Sequence, residues 1–118
     1  MRAKDAVGRY GERVAAAYLE ERGWVLLDRN WRGPSGELDI VARDGEDLVV
    51  VEVKTRTGDG FGHPAEAVTP AKLARLRRLA GQWLAAHDVR VRGVRIDVLA
   101  VRAGGRGAAR VEHLVGVQ

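Results

Sequence analysis

The stretch Gly36-Glu37-Leu38-Asp39-Ile40-Val41-Ala42-Arg43-Asp44-Gly45-Glu46-Asp47-Leu48-Val49-Val50-Val51-Glu52-Val53-Lys54-Thr55 decides the fold of this chain. Two runs with the composition of strands, Glu37 to Arg43 and Glu46 to Thr55, flank Asp44-Gly45. That dipeptide favours a type I′ hairpin, because both central positions need positive φ. A two-residue loop there sets Arg43 across from Glu46, Asp39 across from Val50 and Glu37 across from Glu52. Strand side chains alternate, so Glu37, Asp39, Leu48, Val50, Glu52 and Lys54 share one face of the sheet. On it, Asp39 and Glu52 are diagonal neighbours, about 7–8 Å apart.

Working outward, Ala3 to Arg22 reads as a helix. Val7, Tyr10, Val14 and Tyr18 recur at three- and four-residue spacing, Leu19 extends the stripe, and Gly23 stops it. Trp24 to Asp28 is a short strand closed by the turn-prone Arg32-Gly33-Pro34-Ser35-Gly36. Beyond the hairpin, glycines punctuate Gly58 to Pro64, and a second helix follows with Thr69 as N-cap and Pro70 in its first turn. Its buried stripe is Leu73, Leu76, Leu79, Ala80, Trp83 and Leu84, with Arg75, Arg78 and Gln82 on the opposite face. Arg92 to Arg102 alternates as a strand, and Ala109 to Val117 is a candidate edge strand after the Gly104 to Gly107 turn. The order αβββαβ, with one further strand, implies an α/β protein whose mixed central sheet is flanked by helices.

With 118 residues the chain suits one domain spanning 1–118. Cysteine is absent, which excludes disulfide frameworks, thiolate metal sites and cysteine nucleophiles. The apolar run Leu48 to Val51 is far short of the roughly 20 residues a membrane span needs, and the N-terminus lacks a signal-like apolar stretch, so a cytoplasmic protein without membrane contact is expected. The formal charge is +4, and 17 of the 20 basic residues are Arg, so distribution says more than total. No acid lies between Ala67 and His87, and the carboxylates concentrate in the N-terminal half. That asymmetry suits a polyanion held beside an acidic centre that needs a cation.

Carboxylates sharing a sheet face with Leu48 and Val50 demand a positive counterpart, since like charges across strands destabilise and an unpaired buried carboxylate costs several kcal/mol. Lys54 supplies one charge. An oxygen-rich set without histidine suits a hard divalent ion, Mg²⁺ or Mn²⁺. Glu12 on the first helix, beside Gly8 and Ala15, is a third acid that small neighbours let approach the sheet. The bland alternative is a solvated face on which Lys54 merely pairs with Glu52.

Glu12, then GELDIV from Gly36, then Val51-Glu52-Val53-Lys54-Thr55-Arg56, resemble the E…D…ExK core of the PD-(D/E)xK nuclease superfamily, in the arrangement of archaeal Holliday junction resolvases. Over nearly its full length the chain is similar to the YraN family. The shared blocks are Gly8 to Leu19, Asn30-Trp31-Arg32, Gly36 to Ala42, Val51 to Arg56, Phe61 to Val68, Lys72, and Arg95 to Val98. An E-x-K alone is common by chance; the ordered blocks are specific. Leu38 stands where the superfamily name has Pro, which alters no ligand.

The resemblance implies a restriction-endonuclease-like core and metal-dependent endonuclease action on DNA, with RNA not excluded. Asp39 and Glu52 would ligate the metal with the Val53 carbonyl, Glu12 would complete or orient the site, and Lys54 would position the attacking water. Resolvases of this architecture act as symmetric dimers, which makes a homodimer an expectation. With no base-reading module in so small a scaffold, selection by branched, flapped or single-stranded form is expected. Arg56, Lys72, Arg75 and Arg78 are candidate phosphate contacts, and Trp31, between Asn30 and Arg32, is a candidate for base stacking. Trp24 and Trp83 read as core, His87 and His113 as structural or solvated, and Asp97 as a partner for a neighbouring Arg. Glu37 adjoins the site, either as a ligand to a second metal or a water or, more in keeping with its place, as an outlying or exposed acid, and His63 is a candidate substrate contact because its loop abuts Lys54. The rivals are a nucleic-acid binder that kept this fold without turnover, and an ion-pair network that only steadies the sheet.

Overall fold

The computed structural model describes residues 3–57, 68–104, 107 and 109–117. The predicted stretch Gly58 to Pro64, with His63, lies outside them, as does part of the Gly104 to Gly107 turn. In chain order the elements are α1 (Ala3–Glu21), β1 (Val25–Gly33), β2 (Gly36–Asp44), β3 (Asp47–Thr57), α2 (Pro70–Ala86), β4 (Gly93–Ala103) and β5 (Arg110–Leu114). The strands form one sheet ordered β1-β2-β3-β4-β5, in which β3 and β4 run parallel and the other neighbours antiparallel. This is the expected mixed α/β sheet with an αβββαβ, restriction-endonuclease-like core, and β5 is its added edge. Tight turns join β1, β2 and β3, whereas the parallel β3–β4 pair requires a crossover, to which α2 belongs. No helix among the described residues is long and apolar enough to cross a membrane.

Each face of the sheet carries one helix. On one side Ala15 and Leu19 of α1 pack on Ile40, Ala42, Val49, Val51, Leu99 and Val101. On the other, Leu76, Leu79, Ala80 and Trp83 of α2 pack on Leu38, Val41, Leu48, Val50 and Ile96. Leu48 to Val51 are therefore all fully buried, which is why β3 reads as a continuous apolar run there. Thr69 caps α2 as expected, its Oγ1 accepting from the Lys72 N–H at 3.1 Å. Gln82 departs from its predicted outward face. It is half-buried and reaches the β1–β2 turn, donating to Ser35 Oγ at 2.8 Å.

The predicted stripe of α1 is corrected. Tyr10 is exposed and Val7, Val14 and Tyr18 are only half-buried, while Gly11, Ala15, Ala16 and Leu19 face the sheet. Small residues won because they bring the helix axis close: a Cβ at Gly11 would collide with the Thr55 side chain. The hairpin register also shifts by two. Asp44 pairs with Asp47 and Arg43 with Leu48, so the loop is Gly45-Glu46. Gly45 has φ 62° and Glu46 an ordinary negative φ, the Gly-first arrangement of a type II′ turn, while Asp44 stays in the strand and pairs with Arg95 at 3.2 Å. A shift of two preserves which residues share a face, so the predicted face of β3 survives the error.

The predicted strand Trp24 to Asp28 instead runs from Val25 to Gly33, with an irregularity between Leu26 and Asp28. There Asp28 Oδ2 accepts from Trp83 Nε1 at 3.0 Å, fastening β1 to α2. His87 stacks on Trp83 with ring centroids 4.0 Å apart.

Asp97 on β4 is fully buried and has several partners. Its Oδ1 accepts from Arg95 Nε and from the Gly116 N–H, both at 2.9 Å. Its Oδ2 meets His113 Nε2 at 2.7 Å, and His113 Nδ1 lies 3.2 Å from the Tyr18 hydroxyl. A carboxylate only accepts, so His113 Nε2 is the donor. The network ties β5 and the segment after it to β4 and α1, and the Val117 N–H adds a bond to the Ile96 carbonyl.

Candidate active site

The site forms where β2 leaves β3. The ladder between them ends at Ile40–Val51, and beyond it Asp39 Oδ2 accepts from the Val53 N–H at 2.9 Å. On the other flank, Asn30 of β1 lies across from Asp39, between the Arg29–Ile40 and Trp31–Leu38 pairs. Asn30 has φ 52°, the left-handed region that Asn tolerates better than most residues. Alternation breaks at this point. Ile40 packs into the α1 layer, whereas Leu38 and Trp31 pack into the α2 layer. The kink leaves a backbone N–H of β3 unpaired by the sheet, and the Asp39 carboxylate fills the gap.

Around Asp39 the other expected groups gather. Glu52, next beyond Val51 on β3, lies close enough to the Asp39 carboxyl to act on it by charge and hydrogen bonding. Lys54 Nζ is 3.7 Å and Lys72 Nζ 3.4 Å from Glu52 Oε1. Glu12 on α1 is near enough for its charge to act on Asp39. With its amide nitrogen turned toward α1, Asn30 donates to Glu12 Oε1 at 3.1 Å and to Oε2 at 3.2 Å. Between α1 and the end of β3 an open cleft of about 570 Å³ is walled by Gly8 and Glu12 on one side and by Lys54, Thr55 and Arg56 on the other.

Burial first, then the charges of Glu52 and Glu12, push the Asp39 carboxyl up from its ordinary 3.8 to about 7, against the pull of the Val53 N–H. Burial and the adjacent Lys72 lower the Lys54 ammonium, and Glu52 offsets part of that. Among the described residues no three His, Cys, Asp or Glu side chains form a ready-made metal cage. The donor set nevertheless fits a hard ion. Two adjacent carboxyls, one of them resisting ionisation, have no cation in direct contact with both, and Mg²⁺ commonly takes one or two carboxylates and completes its shell with water and phosphate oxygens.

A model of the Uncharacterised protein family UPF0102 matches residues 11–101. The chain belongs to UPF0102. It is 68% identical over 117 residues to a UPF0102 protein of Beutenbergia cavernae, covering 99% of each chain. It is 62% identical over 118 residues to one of Kineococcus radiotolerans, covering 99% of this chain and 97% of that one. A UPF0102 protein of Arthrobacter sp. is 57% identical over 117 residues, again with 99% of each covered. The resemblance to the YraN family is thereby borne out.

In this UPF0102 chain Glu12, Asp39, Glu52 and Lys54 come together, with Val53 between the last two. Of the expected phosphate contacts, Arg56 lines the cleft and Lys72 is drawn onto Glu52. Arg75 lies over Gly36, Arg78 points to solvent, and Trp31 is half-buried against the α2 layer, edge-on to His87. Glu37 is exposed and pairs with Arg32 at 3.2 Å, away from the site. Two partners escaped sequence reasoning. Asn30 and Gly11 stood inside shared blocks without an assigned role, although a glycine in mid-helix is a residue that needs a packing reason there.

The raised Asp39 carboxyl has a measurable consequence. An acid whose folded pKa exceeds its unfolded value contributes stability in full below the unfolded value, and that contribution is lost as pH rises through the folded one. In chelator, melting temperature is expected to drift down between pH 4 and pH 8 by an increment that Asp39→Asn removes. Parallel melts of the two proteins across that range measure the increment; identical profiles would refute the electrostatic account of Asp39.

Proposed function

We propose that this protein is a divalent-metal-dependent endonuclease that hydrolyses phosphodiester bonds in DNA and selects branched, flapped or single-stranded forms. The observation that carries the reading is the meeting of Asp39, Glu52 and Lys54 at the open end of the β2–β3 pair, with Glu12 brought in by α1. Asp39 and Glu52 would hold Mg²⁺ or Mn²⁺ with the Val53 carbonyl. When bound, such an ion acidifies a water and polarises a phosphoryl oxygen, the two needs of this hydrolysis at neutral pH. Lys54, on the same strand face as Glu52, orients the attacking water and offsets charge building on phosphorus. Asn30 fixes the Glu12 carboxylate toward the cleft, and Arg56 at the cleft wall meets the phosphate backbone. A scaffold of this size without a base-reading module favours selection by nucleic-acid form over selection by sequence.

A second reading, a purely structural ion-pair network, draws on the two lysines paired with Glu52. It leaves Asp39 without a cation in direct contact, with Lys54 acting on it only from a distance. The experiment is cleavage of labelled single-stranded, flapped, four-way and RNA substrates in Mn²⁺ by wild type and Lys54→Ala. Wild type is expected to cut an open DNA form, and Lys54→Ala about 10²- to 10³-fold more slowly. Binding without cutting would make the protein a non-catalytic nucleic-acid-binding relative of this fold, and no binding would leave the ion-pair network.

A further inference from the structure

Lys72 is the member of the site supplied by α2, and its pairing is unusual. Lys72 Nζ and Lys54 Nζ approach the same oxygen, Glu52 Oε1, at 3.4 and 3.7 Å. All three side chains are largely shielded from water, at 18%, 24% and 12% exposure. Among the described residues no ion pair within 4 Å joins a cation to Asp39, whose carboxylate accepts from the Val53 backbone and lies against Glu52, with Lys54 felt only from further off. Charge is therefore unevenly divided, with two ammonium groups paired directly with Glu52 and none in direct contact with Asp39. One lysine would suffice for Glu52, and two repel each other.

We propose, resting on the metal-nuclease reading above, that Lys72 is a placeholder cation. It holds Glu52 while no metal is bound, gives Glu52 up to the divalent ion, and then contacts a substrate phosphate, so that metal binding and nucleic-acid binding are coupled through this residue. Charge counting supports the exchange. Counted with Asp39 ionised, as ligation of a metal requires, three carboxylates against two ammonium groups give one net negative charge. A divalent ion turns that into one positive charge, which a single phosphodiester neutralises. Without Lys72 the metal-bound cluster would be neutral and its pull on a phosphate correspondingly weaker. The geometry permits the move. The Lys72 backbone is fixed by its N–H to Thr69 Oγ1, while its four-carbon stem carries the ammonium freely between neighbouring anions.

The test titrates Mn²⁺ into the full chain by calorimetry. It also follows a labelled single-stranded oligonucleotide by anisotropy, in Ca²⁺ and in chelator, for wild type, Lys72→Met, Lys72→Gln and Lys72→Arg. Lys72→Met and Lys72→Gln are expected to bind Mn²⁺ roughly tenfold more tightly than wild type, yet to bind the oligonucleotide in Ca²⁺ roughly tenfold more weakly, and Lys72→Arg to stay near wild type. A merely structural lysine would not move the two affinities in opposite directions. Unchanged or weakened Mn²⁺ affinity in the folded Lys72→Met and Lys72→Gln proteins overturns the placeholder role alone. Absence of Mn²⁺ binding by wild type overturns the nuclease reading and this inference with it.

Discussion

Asp39→Asn is expected to lose cleavage by a factor on the order of 10³ or more, the scale set by removal of one preorganised charged group from a hydrolytic site. The same substitution is expected to make the metal-free protein more stable at pH 8, not less. Asparagine keeps an oxygen to accept from the Val53 N–H and removes the charge that opposes Glu52 and Glu12. Mn²⁺ at about a hundredfold over its dissociation constant should add about 2.7 kcal/mol to wild type and nothing to the variant. Melting curves in chelator and in Mn²⁺, read beside gel assays of both proteins, separate the three effects. A variant that cuts as fast as wild type would show that the activity belongs to a contaminant, and one that Mn²⁺ still stabilises in full would move the ion away from Asp39.

Asp97→Ala carries the largest expected cost to folding. It strips an acceptor from the Gly116 N–H, His113 and Arg95 inside the protein, and breaking such a buried charged network costs about 3–5 kcal/mol. For a chain of this length that corresponds to a fall in melting temperature of about 10–20 °C. Asp97→Asn, which keeps the shape but must place an amide nitrogen against a donor, should fall between. Specific activity at temperatures where the variant is folded should stay near wild type, because no member of the network touches Glu12, Asp39, Glu52 or Lys54. A loss below about 1 kcal/mol by chemical denaturation would mean the network adds nothing net.

The sheet and both helices were legible because each element announces itself locally. Thr69-Pro70 opens α2, the buried run Leu48 to Val51 marks an inner strand, and the glycine after Asp44 forces a turn. What local pattern does not contain is the competition between turns. Asp44-Gly45 and Gly45-Glu46 both make good two-residue loops, and a tertiary partner, Arg95, decided between them by holding Asp44 in the strand. Because both registers bring Asp39 and Glu52 to the same end of the β2–β3 pair, the carboxylate pair was readable even from the wrong one. The kink at Asn30 was not, since a left-handed residue inside a strand leaves no periodic trace. Nor was the choice of small residues over Tyr10 on α1, which depends on how close the helix comes to Thr55. Lys72 was visible as a basic residue; only the packing of α2 against the sheet shows that it turns inward to Glu52.

The parallel junction between β3 and β4 sets an order of assembly. The first three strands meet their neighbours across two-residue connections, whereas β4 docks only after the chain from Thr57 to Gly93 has gone round, an entropically slow closure. Asp39 and Glu52 both lie on the early meander, so their mutual repulsion is present before α2 delivers Lys72. A refolding chain should therefore pass its barrier faster in acid within the ordinary carboxylate range, where protonation of one of the early pair relieves the repulsion, than at alkaline pH.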